Sequence, residues 1–186
     1  MLTLHTMEQY TTVTRRINEI TGNNKLVDAA VYTYIKSRIN YRTYIANTVT
    51  EQEMSNHLGL SIDTIENIVP RISKHTFLFD KVEQDEEKKI GSYKTYNKYY
   101  LVKDNENFFY IYNTFFNDDM NIDNAVDRCK VKGILLLIKS VCIKETNKYI
   151  SERPRKNGLN KSELARKLGI DTDTLTKYLL LAIGAG

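Results

Sequence analysis

Apolar side chains recur every three to four residues in six stretches of this chain, the spacing that builds one helical face. In residues 24–40, Leu26, Ala30, Val31, Ile35 and Ile39 fall on one side. In residues 129–145, Ile134, Leu137, Ile138 and Val141 do the same. A pair of shorter helices follows each: Met54 and Leu58, then Ile65, Ile68 and Ile72; and Leu164 and Leu168, then Leu175 with Tyr178 or Leu179. Residues 77–102 hold two extended segments rich in tyrosine and valine around a charged turn ending near Gly91, the pattern of a β-hairpin. Residues 107–116, NFFYIYNTFF, predict a short strand leading into a second domain.

The short helix pairs repeat one pattern. MSNHLGLSIDTIENI begins at Met54 and LARKLGIDTDTLTKY at Leu164, 110 residues on. Glu53/Glu163, Leu58/Leu168, Gly59/Gly169, Asp63/Asp173 and Thr64/Thr174 are identical. Thr50 with Glu53 is a capping box, in which each side chain satisfies an orphan amide, and Asn160 with Glu163 is its variant. Gly59 and Gly169 end the first helix of each pair, because glycine tolerates the left-handed backbone of a C-cap. Leu60 plugs the turn, and Ser61 or Asp171 caps the second helix. Asp63 and Asp173 enter its first turn, where the helix dipole favours a carboxylate. Pro70 removes a helical hydrogen bond, so the helix containing it is expected to end or kink there. IKS recurs at 35–37 and 138–140, a spacing of 103, so the second copy has seven more residues before its motif, within the basic loop KYISERPRKNGLNK.

These elements predict a mainly α protein with a small β-hairpin wing: tandem winged helix–turn–helix domains. The first would span residues 1–104. The second would span 105–186, with its wing missing or truncated. The segments KLVDAAVYTYIKSRI, VTEQEMSNHLGLSIDTIENIVPRI, NFFYIYNTFF and LNKSELARKLGIDTDTL resemble the winged helix–turn–helix proteins of plasmids and phages from low-GC Gram-positive bacteria. That group includes replication-initiator N-terminal domains and small regulators. The resemblance covers most of residues 24–183 and implies double-stranded DNA binding in transcription control or replication initiation of a mobile element.

Charge changes the picture by its placement. Net charge is +4, with residues 1–104 at +1, 105–127 at −5 and 128–186 at +8. A basic C-terminal third points to a polyanionic partner. Arg153, Arg155, Lys156, Lys161, Arg166 and Lys167 are the candidate phosphate contacts of the second domain. Thr172, Asp173, Thr176 and Lys177 would face base edges in the major groove. In the first domain the corresponding candidates are Ile62, Asp63, Glu66 and Asn67, with Arg71, Lys74 and His75 behind them and Lys88, Lys89, Lys94 and Lys98 in the wing. SIDTIENIVPRI is acidic where members of the group often carry Arg, Lys or Ser, and Asp85, Glu86 and Glu87 sit at the wing tip. The second domain is therefore expected to bind DNA more strongly.

The remaining features narrow the class. Two lone cysteines, Cys129 and Cys142, fit a reducing cytoplasm, and Cys142 reads as a small core residue within a helical run. No signal peptide or membrane-length apolar run is visible. No phosphate loop, GxGxxG or HExxH occurs, and His5, His57 and His75 are scattered, so no enzyme, cofactor, metal or small-molecule substrate is expected. YLLLAI at 178–183 is apolar on every face, which predicts a missing C-terminal portion, packing on the first domain or a homodimer interface. The rival class is a non-enzymatic protein–protein adaptor or inhibitor that keeps this fold without binding DNA; the acidic helix and wing tip favour it.

Overall fold

A computed structural model describes residues 10–47, 49–89, 92–103, 107–117, 120–143, 148–149 and 160–185. The chain begins with β1 (Tyr10–Thr14), a 3-10 turn (Arg15–Glu19), α1 (Lys25–Ser37) and β2 (Ile45–Ala46). Next come α2 (Glu51–Leu58), α3 (Ile62–Ile72), β3 (Phe79–Lys89) and β4 (Ser92–Leu101). Then β5 (Phe108–Tyr112) and a second 3-10 turn (Asn113–Phe116) lead to α4 (Ala125–Val141), α5 (Lys161–Leu168) and α6 (Thr172–Gly184). The fold is thus mixed α/β, with two small antiparallel sheets among the described residues. One is three-stranded in the order β2-β4-β3; the other pairs β1 with β5, Thr12 opposite Tyr110.

The helix pairs α2–α3 and α5–α6 form as their sequences require. Thr50 and Asn160 accept hydrogen bonds from the amides of Glu53 and Glu163, at 3.1 and 3.2 Å. Ser61 and Asp171 accept from Thr64 and Thr174, at 3.2 and 2.7 Å. Gly59 and Gly169 close the first helix of each pair in the left-handed region, at φ 68° and 63°. Met54, Leu58 and Leu60 bury one seam; Leu164 and Leu168 bury its counterpart. The N-cap half of each predicted capping box forms, while the glutamate carboxylates accept tyrosine hydroxyls at 2.9 Å, Glu53 from Tyr34 and Glu163 from Tyr149.

The long helices α1 and α4 lie against each other at the centre. A Cβ on Gly133 would stand 1.9 Å from the Leu26 carbonyl oxygen, so the two backbones meet with no side chain between them. The glycine bends then dock reciprocally. Gly59 sits against Ala125 and Arg128 at the start of α4, and Gly169 against Lys25 at the start of α1. Lys25 donates to the Asn18 carbonyl at 2.5 Å, and Arg128 to the Ile122 carbonyl at 2.6 Å. Buried side chains from both sides of residues 104–107 form one hydrophobic cluster. No helix among the described residues is long and apolar enough to cross a membrane.

Several expectations are corrected. The strand predicted within residues 107–116 forms as β5, but the chain is less purely helical than predicted, because β1 and β2 are also strands, with partners remote in sequence. Helix α1 has no solvent face: every residue from Lys25 to Lys36 is buried. Its charges are compatible with burial because Lys25 bonds a carbonyl and Asp28 holds a bidentate ion pair with Arg71. Helix α4 starts four residues before the predicted position, since the Asn124 side chain caps it through the Asp127 amide at 2.9 Å. Cys142 is buried but stands at the C-cap. The charged residues 85–89 belong to β3, and pairing continues to Lys89 opposite Ser92. Helix α3 runs through Pro70 and ends two residues later at Ile72; Pro70 itself is exposed.

Gly133→Ala should be the most damaging single methyl addition in the protein. Forcing α1 and α4 apart is expected to cost about 3 kcal/mol or more, read as a lower urea midpoint at unchanged slope.

Candidate nucleic-acid interface

Helix α3 buries Ile65, Ile68, Val69 and Ile72 and turns Asp63, Glu66, Asn67 and Pro70 outward. Helix α6 buries Leu175 and Tyr178 and turns Thr172, Asp173, Lys177 and Leu180 outward. Both stripes follow from the 3.6-residue period once the apolar side is docked. The second helix of each pair is therefore accessible along one face. Ile62 and Thr176 are half-buried at the margins of these stripes, and Lys74 is exposed beyond the end of α3.

Several candidate side chains already have partners. The Arg71 guanidinium donates to both oxygens of buried Asp28, at 2.9 and 2.5 Å, so it is held against α1 rather than presented beside Asn67. Asn67 donates from its amide to the Asp63 carbonyl at 2.8 Å, which leaves its oxygen outward as an acceptor. Lys177 and the Tyr178 hydroxyl each donate to Asp127 on α4 at 3.1 Å. Partial burial opposes ionisation of Asp127, but these bonds outweigh it and set its pKa below the ordinary value; Asp127 in turn raises that of Lys177. The pair is open to water, so it is weak and screened by salt.

The basic residues divide by position. Lys161 and Arg166 are exposed on α5, and Lys167 is half-buried, its ammonium 5.4 Å from the Tyr149 ring centre. Arg153, Arg155 and Lys156 lie outside the described residues. The wing-tip side chains, residues 85–95, do too. Beside α3 the surface is acidic instead. A cleft of about 590 Å³ between α3 and the hairpin is lined by Glu51, Glu66, Pro70, Ser73, Gln84 and Asn97. The Asn97 amide donates to Glu51, which fixes that carboxylate at the cleft.

Sequence reasoning missed Asp28 and Asp127, the acids that orient the second helices. The available signal was an acid in the first turn of each long helix. That position pairs with the helix dipole and gives no hint of a tertiary partner. Lys25 was missed too. It lines a second cavity of about 470 Å³ with Lys130, Gly169, Asp171 and Tyr178, beneath the α5–α6 bend. Comparison with known proteins gives no match, whether to a family model, a curated protein or a solved structure.

Burial lowers the Lys25 pKa to about 8. Below that value the ammonium is charged in both folded and unfolded chains, and its burial opposes folding. As pH rises from about 8 toward 10.5, the folded chain releases the proton first, so stability rises with pH. Against Lys25→Met, the wild type should gain about 2–3 kcal/mol between pH 7 and pH 10.5 in urea unfolding. A pH-independent difference would show that Lys25 titrates as a solvated lysine.

Proposed function

We propose that this chain is a double-stranded DNA-binding protein built from tandem winged helix–turn–helix units. The observation that carries this is the pair of capped, glycine-bent helix pairs, each leaving the face of its second helix open. The first unit would comprise α1, β2, α2, α3 and the β3–β4 hairpin, which shares a cleft with α3 and would serve as its wing. The second comprises α4, α5 and α6.

A second helix of this length enters a major groove with its N-terminal residues nearest the bases. On α6 these are Thr172, Asp173 and Thr176, with Lys177 one weak ion pair away from reaching guanine or phosphate. On α3 the Asn67 side-chain oxygen and Ile62 are the corresponding contacts. Lys161, Arg166 and Lys167, with Arg153, Arg155 and Lys156 earlier in the sequence, would supply phosphate neutralisation. A cytoplasmic role in transcription control or replication initiation of a mobile element is supported by the sequence resemblance alone.

The acidic α3 cleft supports a second reading for the first unit: docking of a basic segment of another protein, as in an adaptor or inhibitor. Titration of labelled random duplex at increasing salt separates the two. DNA binding through five or six phosphates predicts a log–log salt slope of roughly −5. Changing Arg155, Lys156, Arg166 and Lys167 together to alanine should flatten the slope to about −1 and abolish binding at moderate salt. Absence of a complex at micromolar protein and low salt would favour the adaptor. Unchanged affinity in the quadruple variant would move the interface away from the second unit.

A further inference from the structure

The β1–β5 ribbon has a face that is left exposed among the described residues. Alternation along the strands sends Thr11, Val13, Phe109 and Ile111 into the core and Tyr10, Thr12, Tyr110 and Tyr112 outward. Tyr10, Tyr110 and Tyr112 are 55%, 48% and 58% exposed, and neighbouring Tyr41, 48% exposed, donates to the Tyr10 carbonyl at 3.0 Å. The rings are ordered against each other: Tyr10 meets Tyr110 edge to face at 4.9 Å, and Phe108 meets Tyr110 at 5.3 Å.

We infer that this tyrosine face is where two copies of the chain associate. Charge is the first argument. The outward positions of both strands carry no charged residue, although the chain as a whole is at +4. A twofold contact sets a patch against itself, so any charge at its centre would meet its own copy. An uncharged aromatic face avoids that repulsion and has the composition of an interface core. A nucleic-acid strand would instead require lysine or arginine among the rings.

Area is the second argument. An aromatic side chain buries about 150–250 Å² when covered. Four tyrosines about half exposed therefore offer roughly 300–500 Å² per copy, around half of the ~800 Å² that one side of a stable interface contributes. Their surroundings need supply only the remainder. The rival apolar surface, Leu180 and Ile183 on α6, consists of two side chains at 62% and 74% exposure and lies on the proposed groove-facing stripe. Using it for association would block the DNA interface.

Sedimentation equilibrium without DNA tests the inference independently of the DNA-binding proposal. The wild type should shift from 21.6 kDa toward twice that mass across the micromolar range. Tyr10→Ser/Tyr110→Ser/Tyr112→Ser should stay monomeric with unchanged helical circular dichroism, and Leu180→Ser/Ile183→Ser should still dimerise. If the triple variant does not fold, Tyr112→Arg, at the most exposed of the four, gives the same measurement. A wild type monomeric throughout, a dimer that survives the tyrosine changes, or one lost only on changing Leu180 and Ile183 would overturn it.

Discussion

The whole arrangement depends on the bare-backbone crossing of α1 and α4. Close approach at Gly133 and Leu26 brings the first turn of each long helix under the glycine bend of the opposite pair. Neither bend is positioned by its own unit alone. Gly59 leans on α4 and Gly169 on α1, so the orientation of α3 relative to α6 is set by one helix crossing. Packed interiors resist small changes in spacing, because each shift must be passed on to neighbours that have no free volume. Both second helices are thus anchored to one packed interior.

Ion pairs complete the orientation from the solvent side. Asp28 in α1 grips Arg71 in α3, and Asp127 in α4 grips Lys177 in α6. The two differ in burial. Asp28 is nearly inaccessible, so losing Arg71 would strand a buried carboxylate and cost several kcal/mol. The Asp127–Lys177 pair is open to solvent, and in the proposed DNA-binding mode a phosphate would compete with Asp127 for Lys177. Of these two basic side chains on the second helices, Arg71 is therefore held in the scaffold, while Lys177 lies at the surface. Their sequences alone do not distinguish them.

The contrast between the basic surface of α5 and the acidic cleft beside α3 bears on how the two helix pairs divide the work. The second unit concentrates basic residues around α5, while the first lines the cleft beside α3 with Glu51 and Glu66. A duplex laid across both would be attracted at one end and repelled at the other. Direct binding of the acidic face to a basic protein segment would relieve that mismatch.

Legibility followed the range of the interactions. Caps at Thr50, Asn160, Ser61 and Asp171, left-handed glycines at 59 and 169, and the apolar stripes of α3 and α6 were readable because each depends on residues within a few positions. The candidate base-facing residues followed from the same periodicity. The pairing of β1 with β5, the complete burial of α1 and the partners of Arg71 and Lys177 were not readable. Each joins residues between 43 and 102 positions apart, and no local pattern marks them. The path of α3 through Pro70 had the same cause: tertiary packing of Ile68 and Ile72 holds a turn that local chemistry disfavours. By itself, then, the amino-acid order determined the duplicated helix pairs and where each one bends, since those are short-range matters of sterics and capping. Only the tertiary structure decided which charges are structural and which are free to act, because that depends on where burial brings distant side chains together.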